Sequence, residues 1–125
     1  MKNGGVVYIG VDVSKVWLRF DAGSYFTGDV KNAPASIRRA LAALAAKLPA
    51  GSTLHVCFES TGRYGRNLSE ACAAAGIPAS TLNPYKVRMY ARSMSVAAKT
   101  DPVDARMIRL FAEHPLERHF IHDAA

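Results

Sequence analysis

The chain has 125 residues, is 50% hydrophobic, and carries a formal charge of +6 with an isoelectric point near 9.6. That is apolar material for one core and excludes a second sizeable domain within these residues, while the positive balance favours a polyanionic partner, because Lys and Arg that neutralise phosphates release condensed counterions. Cys57 and Cys72 lack the spacing of a zinc site and the density of a disulfide scaffold, and the opening MKNGGVVYIGVDVSK is too short and too punctuated by Gly and Asp for a signal peptide or membrane span, so the composition points to a reducing, cytoplasmic setting.

Residues 6–13 form a β-branched apolar run. Alternation puts Val7, Ile9, Val11 and Val13 on one face and Tyr8, Gly10 and Asp12 on the other, as in a central strand, with Gly10 leaving a position open to a ligand. Ser14 and Lys15 turn the chain into residues 16–21, and Asp21-Ala-Gly23 turns it again into residues 25–30, which predicts a three-stranded antiparallel meander. Pro34 suits a first helical position, and Ile37, Leu41, Leu44 and Leu48 recur at helical spacing until Pro49-Ala-Gly51 ends the helix. Residues 53–58 read as a short buried strand leading to Glu59. Leu68, Cys72 and Ala75 line a second helix that Gly76 and Pro78 terminate, and a strand over 79–82 stops at Asn83-Pro84. Over residues 85–99, Val87, Tyr90 and Met94 turn to a core while Lys86, Arg88 and Arg92 make the helix basic. The last helix is expected to start at Thr100 or Asp101, with Pro102 in its first turn, and to run to about Glu113 before His114-Pro115.

Four acids carry the functional signal. Asp12 interrupts an apolar run, where an unpaired carboxylate costs several kcal/mol in order of magnitude, although it can also close a strand with Ser14. Glu59 either caps the loop Ser60-Thr61-Gly62 or works as a ligand. Asp101 and Asp104 suit the first turn of a helix, where acids complement the dipole, and their spacing of three also puts both on the face of Ile108 and Phe111, looking onto the sheet. If the first strand and the 53–58 strand are neighbours, all four converge. Such a cluster repels itself unless cations occupy it, and hard oxygen ligands suit a pair of Mg²⁺ or Mn²⁺ ions, the usual device for phosphodiester chemistry. Between Thr61 and Arg109 the basic residues Arg63, Arg66, Lys86, Arg88, Arg92, Lys99, Arg106 and Arg109 outnumber the acids Glu70, Asp101 and Asp104, so positive charge gathers around the proposed site.

The ordered segments GVDVSK, FESTGRYG, LNPYKVRMYARSM and AKTDPVDARMI resemble the N-terminal domain of the DEDD-type insertion-sequence transposases, the family that includes the Piv DNA invertase. The resemblance runs from about Val7 to Phe111. It implies a RuvC-like α/β fold of the ribonuclease H superfamily, a mixed five-stranded sheet flanked by helices, over residues 1–113, with 114–125 as a tail leading toward a second domain. It implies that Asp12, Glu59, Asp101 and Asp104 are the catalytic, metal-binding tetrad of a DNA transposase or recombinase that cleaves and transfers strands with two Mg²⁺ or Mn²⁺ ions. It also implies a second domain, carrying a serine nucleophile, in full members, along with an element-encoded guide RNA, a homo-oligomer of the full-length protein, and a cytoplasmic, nucleoid-associated location without a membrane.

Around the tetrad, Ser60, Thr61, Gly62 and Tyr64 match the family's E-S/T-T-G-x-Y segment, either as substrate contacts or as an ordinary strand-to-helix loop. Asn83 orients a phosphate or caps the next helix. Lys99 contacts a phosphate or is a solvated lysine; Arg63, Lys86, Arg88 and Arg92 are expected on a nucleic-acid backbone, with Tyr85 or Tyr90 as stacking partners or core residues. His55 has no metal partner in view, and His114, His119 and His122 make a weak zinc pattern that no cysteine completes. Two other readings stay open: a non-catalytic nucleic-acid-binding module whose acids only cap and turn, and an actin-like ATPase lobe, suggested by VYIGVDVSKVWLRFD but lacking a Gly-rich adenosine motif and a second lobe.

Overall fold

A computed structural model of the chain describes residues 5–59, 62–94, 103–114 and 122–123. Strands β1 (Val6–Val13), β2 (Trp17–Asp21) and β3 (Thr27–Lys31) form the expected antiparallel meander. Helix α1 (Pro34–Lys47) returns the chain so that β4 (Thr53–Glu59) lies parallel to β1, and α2 (Arg66–Ala75) does the same for β5 (Ala79–Leu82) beside β4. Helices α3 (Pro84–Ser93) and α4 (Ala105–Glu113) follow. The sheet order is β3-β2-β1-β4-β5-β6, the five expected strands in a mixed sheet joined at the edge by the two-residue β6 (His122–Asp123), antiparallel to β5. Four helices flank this sheet, an arrangement compatible with a ribonuclease H-like fold.

Alternation in the strands divides the core into two layers. Ile9, Val11, Val13, Leu18, Phe20, Val56 and Phe58 pack with Ile37, Leu41 and Leu44 of α1 and Leu68 and Cys72 of α2. On the other face Cys57 and Leu82 meet Val87 and Ala91 of α3 and Met107, Ile108 and Phe111 of α4, with Tyr8 and Tyr90 packed against them. Apolar burial of this kind contributes roughly 25 cal/mol per Å², and it fixes which face each polar residue of β1 and β4 takes.

Helix ends follow local chemistry. Pro34 begins α1 after the extended Ala33. Gly76 ends α2 at φ 70°, the left-handed conformation that a side chain would oppose. The Asn83 side chain accepts a hydrogen bond from the Tyr85 amide at 2.8 Å and starts α3.

Several expectations are corrected. The last helix starts at Ala105, not at Thr100 or Asp101: Asp104 is its extended N-cap, with Oδ1 accepting from the Met107 amide at 2.9 Å, and so it precedes the helix instead of sharing its inward stripe. Residues 95–102, including Lys99, Thr100, Asp101 and Pro102, lie outside the described residues, as do Ser60 and Thr61. Ala75 and Met94, expected on core stripes, are exposed. Gly10 is not open to a ligand. A Cβ there would run into the Ala105 carbonyl oxygen and stand 2.6 Å from the Arg109 amide nitrogen, so the missing side chain lets the α4 backbone lie directly on β1.

Candidate metal and nucleic-acid site

Parallel pairing of β1 with β4 ends at Val11 opposite Phe58, and the next residues are Asp12 and Glu59. Gly10 lies under α4 and Cys57 sits in the α3/α4 core layer, so Asp12 and Glu59, two residues farther on, take that same face. Both are half-buried at the carboxyl ends of their strands, the end at which open α/β sheets present ligand sites. The N-terminus of α4 completes the corner, because the helix crosses β1 at Gly10 with its capping Asp104 just ahead.

Electrostatics ties these three acids together. Burial raises the Asp12 pKa above the ordinary carboxylate range, and the charge of Asp104 raises it further. Glu59 is also pushed up, first by burial and then by Asp12, while Arg88 on α3 acts in the opposite direction. Asp12 therefore senses Asp104 and Glu59 senses Asp12, which links two strand ends to a helix cap, and the fourth expected acid, Asp101, lies outside the described residues. Among the described residues no three His, Cys, Asp or Glu side chains are arranged so as to hold an ion by themselves.

The flanking side chains separate. Arg88 is half-buried beside the acids, whereas Lys86 and Arg92 lie on the exposed side of α3 with Tyr85, which is 64% exposed. Asn83 spends its side-chain oxygen on the α3 cap. Gly62–Gly65 form a 3₁₀ turn after β4, in which Arg63 stacks over Tyr64 at 5.3 Å while the Tyr64 ring packs against the α1/α2 core layer. Tyr90 meets Phe111 edge-on at 5.8 Å, the core alternative to base stacking. His55 hydrogen-bonds the Ser80 hydroxyl at 2.8 Å and lies against Tyr8. His119 and the His122 side chain lie outside the described residues.

Two features had no signal in the sequence reading. The Asn32 amide donates to the Ser14 carbonyl at 2.9 Å and to the Tyr64 carbonyl at 3.0 Å, and its own carbonyl groups accept from Asn67. It thereby staples the turn after Asp12 to the turn after Glu59. Arg109, counted above among the basic residues near the site, instead donates from Nε to Asp21 at 2.6 Å and from Nη1 to Glu113 at 2.9 Å, locking α4 to the end of β2. Burial alone would lower the Arg109 pKa, and the bonds and charges of these two carboxylates more than offset it.

Among the described residues no helix is long and apolar enough to cross a membrane. A family model of DEDD-type insertion-sequence transposases, described as Transposase, matches residues 9–125, and the chain belongs to that family. The chain is also similar to the pilin gene-inverting proteins of Moraxella lacunata and Moraxella bovis, 35% identical to each over 57 residues. That stretch is 46% of this chain and 18% of either relative.

Proposed function

We propose that this transposase-family chain is a catalytic domain that holds divalent cations, Mg²⁺ or Mn²⁺ and two in number, at Asp12, Glu59, Asp101 and Asp104, and with them cleaves and transfers DNA strands. The observation that carries this reading is the electrostatic penalty at the carboxyl ends of two parallel strands, where burial and the charge of Asp104 raise the proton affinity of Asp12, and burial and the charge of Asp12 raise that of Glu59. Capping α4 requires only Asp104, and closing β1 requires no buried carboxylate, so the cluster has a cost that structure alone leaves without a return. All the donors are hard carboxylate oxygens, which fit Mg²⁺ or Mn²⁺ and not a soft metal, with Asp101 supplying the further ligand that the described acids need. When bound, such ions activate the attacking oxygen and stabilise the leaving oxygen at a phosphodiester.

The chain's own groups do the rest. Arg88 partly neutralises Glu59 and keeps the pair of strand-end acids together before a cation arrives. Arg63, Lys86, Arg92 and Lys99 supply positive charge for the DNA backbone and Thr61 a hydroxyl donor, while Tyr64 anchors the turn that carries Arg63 and Asn83 caps the helix that carries Lys86 and Arg92. Complete strand transfer calls on the further domain of full-length members, where a guide RNA and a homo-oligomer select and pair the sites; the setting is the nucleoid of a cytoplasm.

Calorimetric titration with Mn²⁺ tests the reading. Wild-type chain should bind with saturation, and Asp12→Asn and Asp104→Asn should each abolish binding while the variants stay folded. Unchanged Mn²⁺ binding in both would leave the acids as caps and turns in a non-catalytic nucleic-acid-binding module.

A further inference from the structure

Among the described residues, the meander carries an uncovered patch on the same face as the acids. Register places Arg19 directly opposite Asp12, with Trp17 two residues along β2, and across the next pairing Asp29 stands opposite Arg19 and Lys31 opposite Trp17. Alternation therefore sets Trp17, Arg19, Asp29 and Lys31 on the face of Asp12, while Leu18 and Val30 turn to the α1/α2 core. Helix α4 covers only the far end of β2, where Arg109 binds Asp21 and the helix backbone covers Gly10. Trp17 is consequently 52% exposed, the largest apolar side chain left in the open among the described residues.

We propose that this face of the meander is a platform for a single-stranded segment of the nucleic acid engaged at the acid site, with Trp17 stacking on a base and Arg19 and Lys31 receiving the backbone phosphates. The inference rests on the phosphodiester reading of Asp12, Glu59 and Asp104, since it concerns where that substrate's strand runs. Charge favours this occupant: Arg19 and Lys31, with Lys15 at the adjoining turn, outweigh Asp29. Arg19 is poised for exchange. Its guanidinium takes Asp29 at 3.2 Å with both side chains more than half exposed, and a pair of that kind contributes little, so a phosphate can replace it. A flat indole beside two cations is also the combination that binds single strands without reading sequence, by stacking and by charge. Arg19 and Trp17 begin at the strand position facing Asp12 and lead outward from it, which puts the platform in line with the site and on the side opposite the basic helix α3.

Trp17 is the one tryptophan of the chain, so its emission reports on this face alone. The chain is titrated with oligothymidylate in the presence of chelator, with selective excitation of tryptophan, and a dye-labelled copy of the oligonucleotide is followed in parallel by anisotropy. The proposal expects saturable quenching of Trp17 that coincides with the anisotropy curve. Trp17→Ala should weaken binding by about tenfold or more, Trp17→Phe should weaken it less, and Lys31→Ala should lower the salt slope by about 0.7. Unchanged emission when the labelled strand is saturated overturns the proposal in the wild-type protein, whatever the variants do. Equal affinity in Trp17→Ala also overturns it, and so does a Trp17→Ala effect confined to self-association, which would assign the face to a second copy. Because the titration contains no metal, quenching without any Mn²⁺ binding would sink the catalytic reading and keep the platform, whereas Mn²⁺ binding without quenching would do the reverse.

Discussion

Asp12 and Glu59 leave adjacent parallel strands at the same level and on the same face, each one residue beyond the last paired positions, Val11 and Phe58. Their proximity is produced by register, and register here is held by the apolar alternation of both strands: a slip of one residue would send Asp12 into the α1/α2 core layer and Val11 toward α4. The same constraint that builds the core thus brings two carboxylates together against their own repulsion.

Relief of that repulsion gives the first prediction. Asp12→Asn should raise the melting temperature of the metal-free chain by a few degrees, because it removes a partly desolvated charge that opposes both Glu59 and Asp104. In Mn²⁺ the order should invert, with wild type gaining stability and the variant gaining none. Thermal melts with chelator and with Mn²⁺ measure both signs.

The pH dependence has a defined direction. Burial raises the Asp12 and Glu59 pKa values above the ordinary carboxylate range, so through the window from that range up to the raised values the folded chain binds more protons than the unfolded one. Their contribution to stability therefore falls as pH rises through that window. Denaturant midpoints of wild type should converge on those of the Asp12→Asn, Glu59→Gln double variant as pH is lowered, and the advantage of the double variant should be largest near neutrality.

Gly10→Ala should be among the most damaging small substitutions. The added methyl meets backbone atoms of Ala105 and Arg109, not the flexible end of a side chain, so α4 must lift off β1. A cost of about 3 kcal/mol is expected, at the upper end for overpacking. Urea denaturation measures it, and Mn²⁺ affinity should fall as well, since Asp104 moves with the helix.

Arg109→Ala leaves Asp21 and Glu113 without their shared cation, and Asp21 is mostly buried. A loss of about 2–3 kcal/mol is expected, less than for a fully buried pair because the site keeps some solvent. Arg109→Lys should recover only part of it, since a single ammonium does not reproduce two bonds made from different guanidinium nitrogens. Chemical denaturation of both variants, compared with Asp21→Asn, separates the two contacts.

The elements were legible because their signals are local. Alternation from Val7 to Val13, the Ile37-Leu41-Leu44 stripe, Pro34 at a helix start and Gly76 at a helix end each depend on a few neighbouring residues. Asp12 stood out for the same reason, as a charge inside an apolar run. What escaped depends on partners far along the chain: Arg109 finds Asp21 across 88 residues, and Asn32 reaches Tyr64 across 32. Gly10 was misread because a gap in a strand face looks alike whether a ligand or a helix fills it. Asp104 was placed in the helix because its spacing from Asp101 suits a helical face, yet the helix begins one residue after it and its side chain serves as the cap.

Crystals grown with Mn²⁺ and a short DNA strand, with data collected at the manganese absorption edge, test the shared site most directly. The account predicts anomalous peaks at the strand-end corner, bridged by Asp12 and Glu59 and reached by Asp104. Saturating Mn²⁺ with no peak there, and Asp12 and Glu59 engaged only by protein hydrogen bonds, would contradict it.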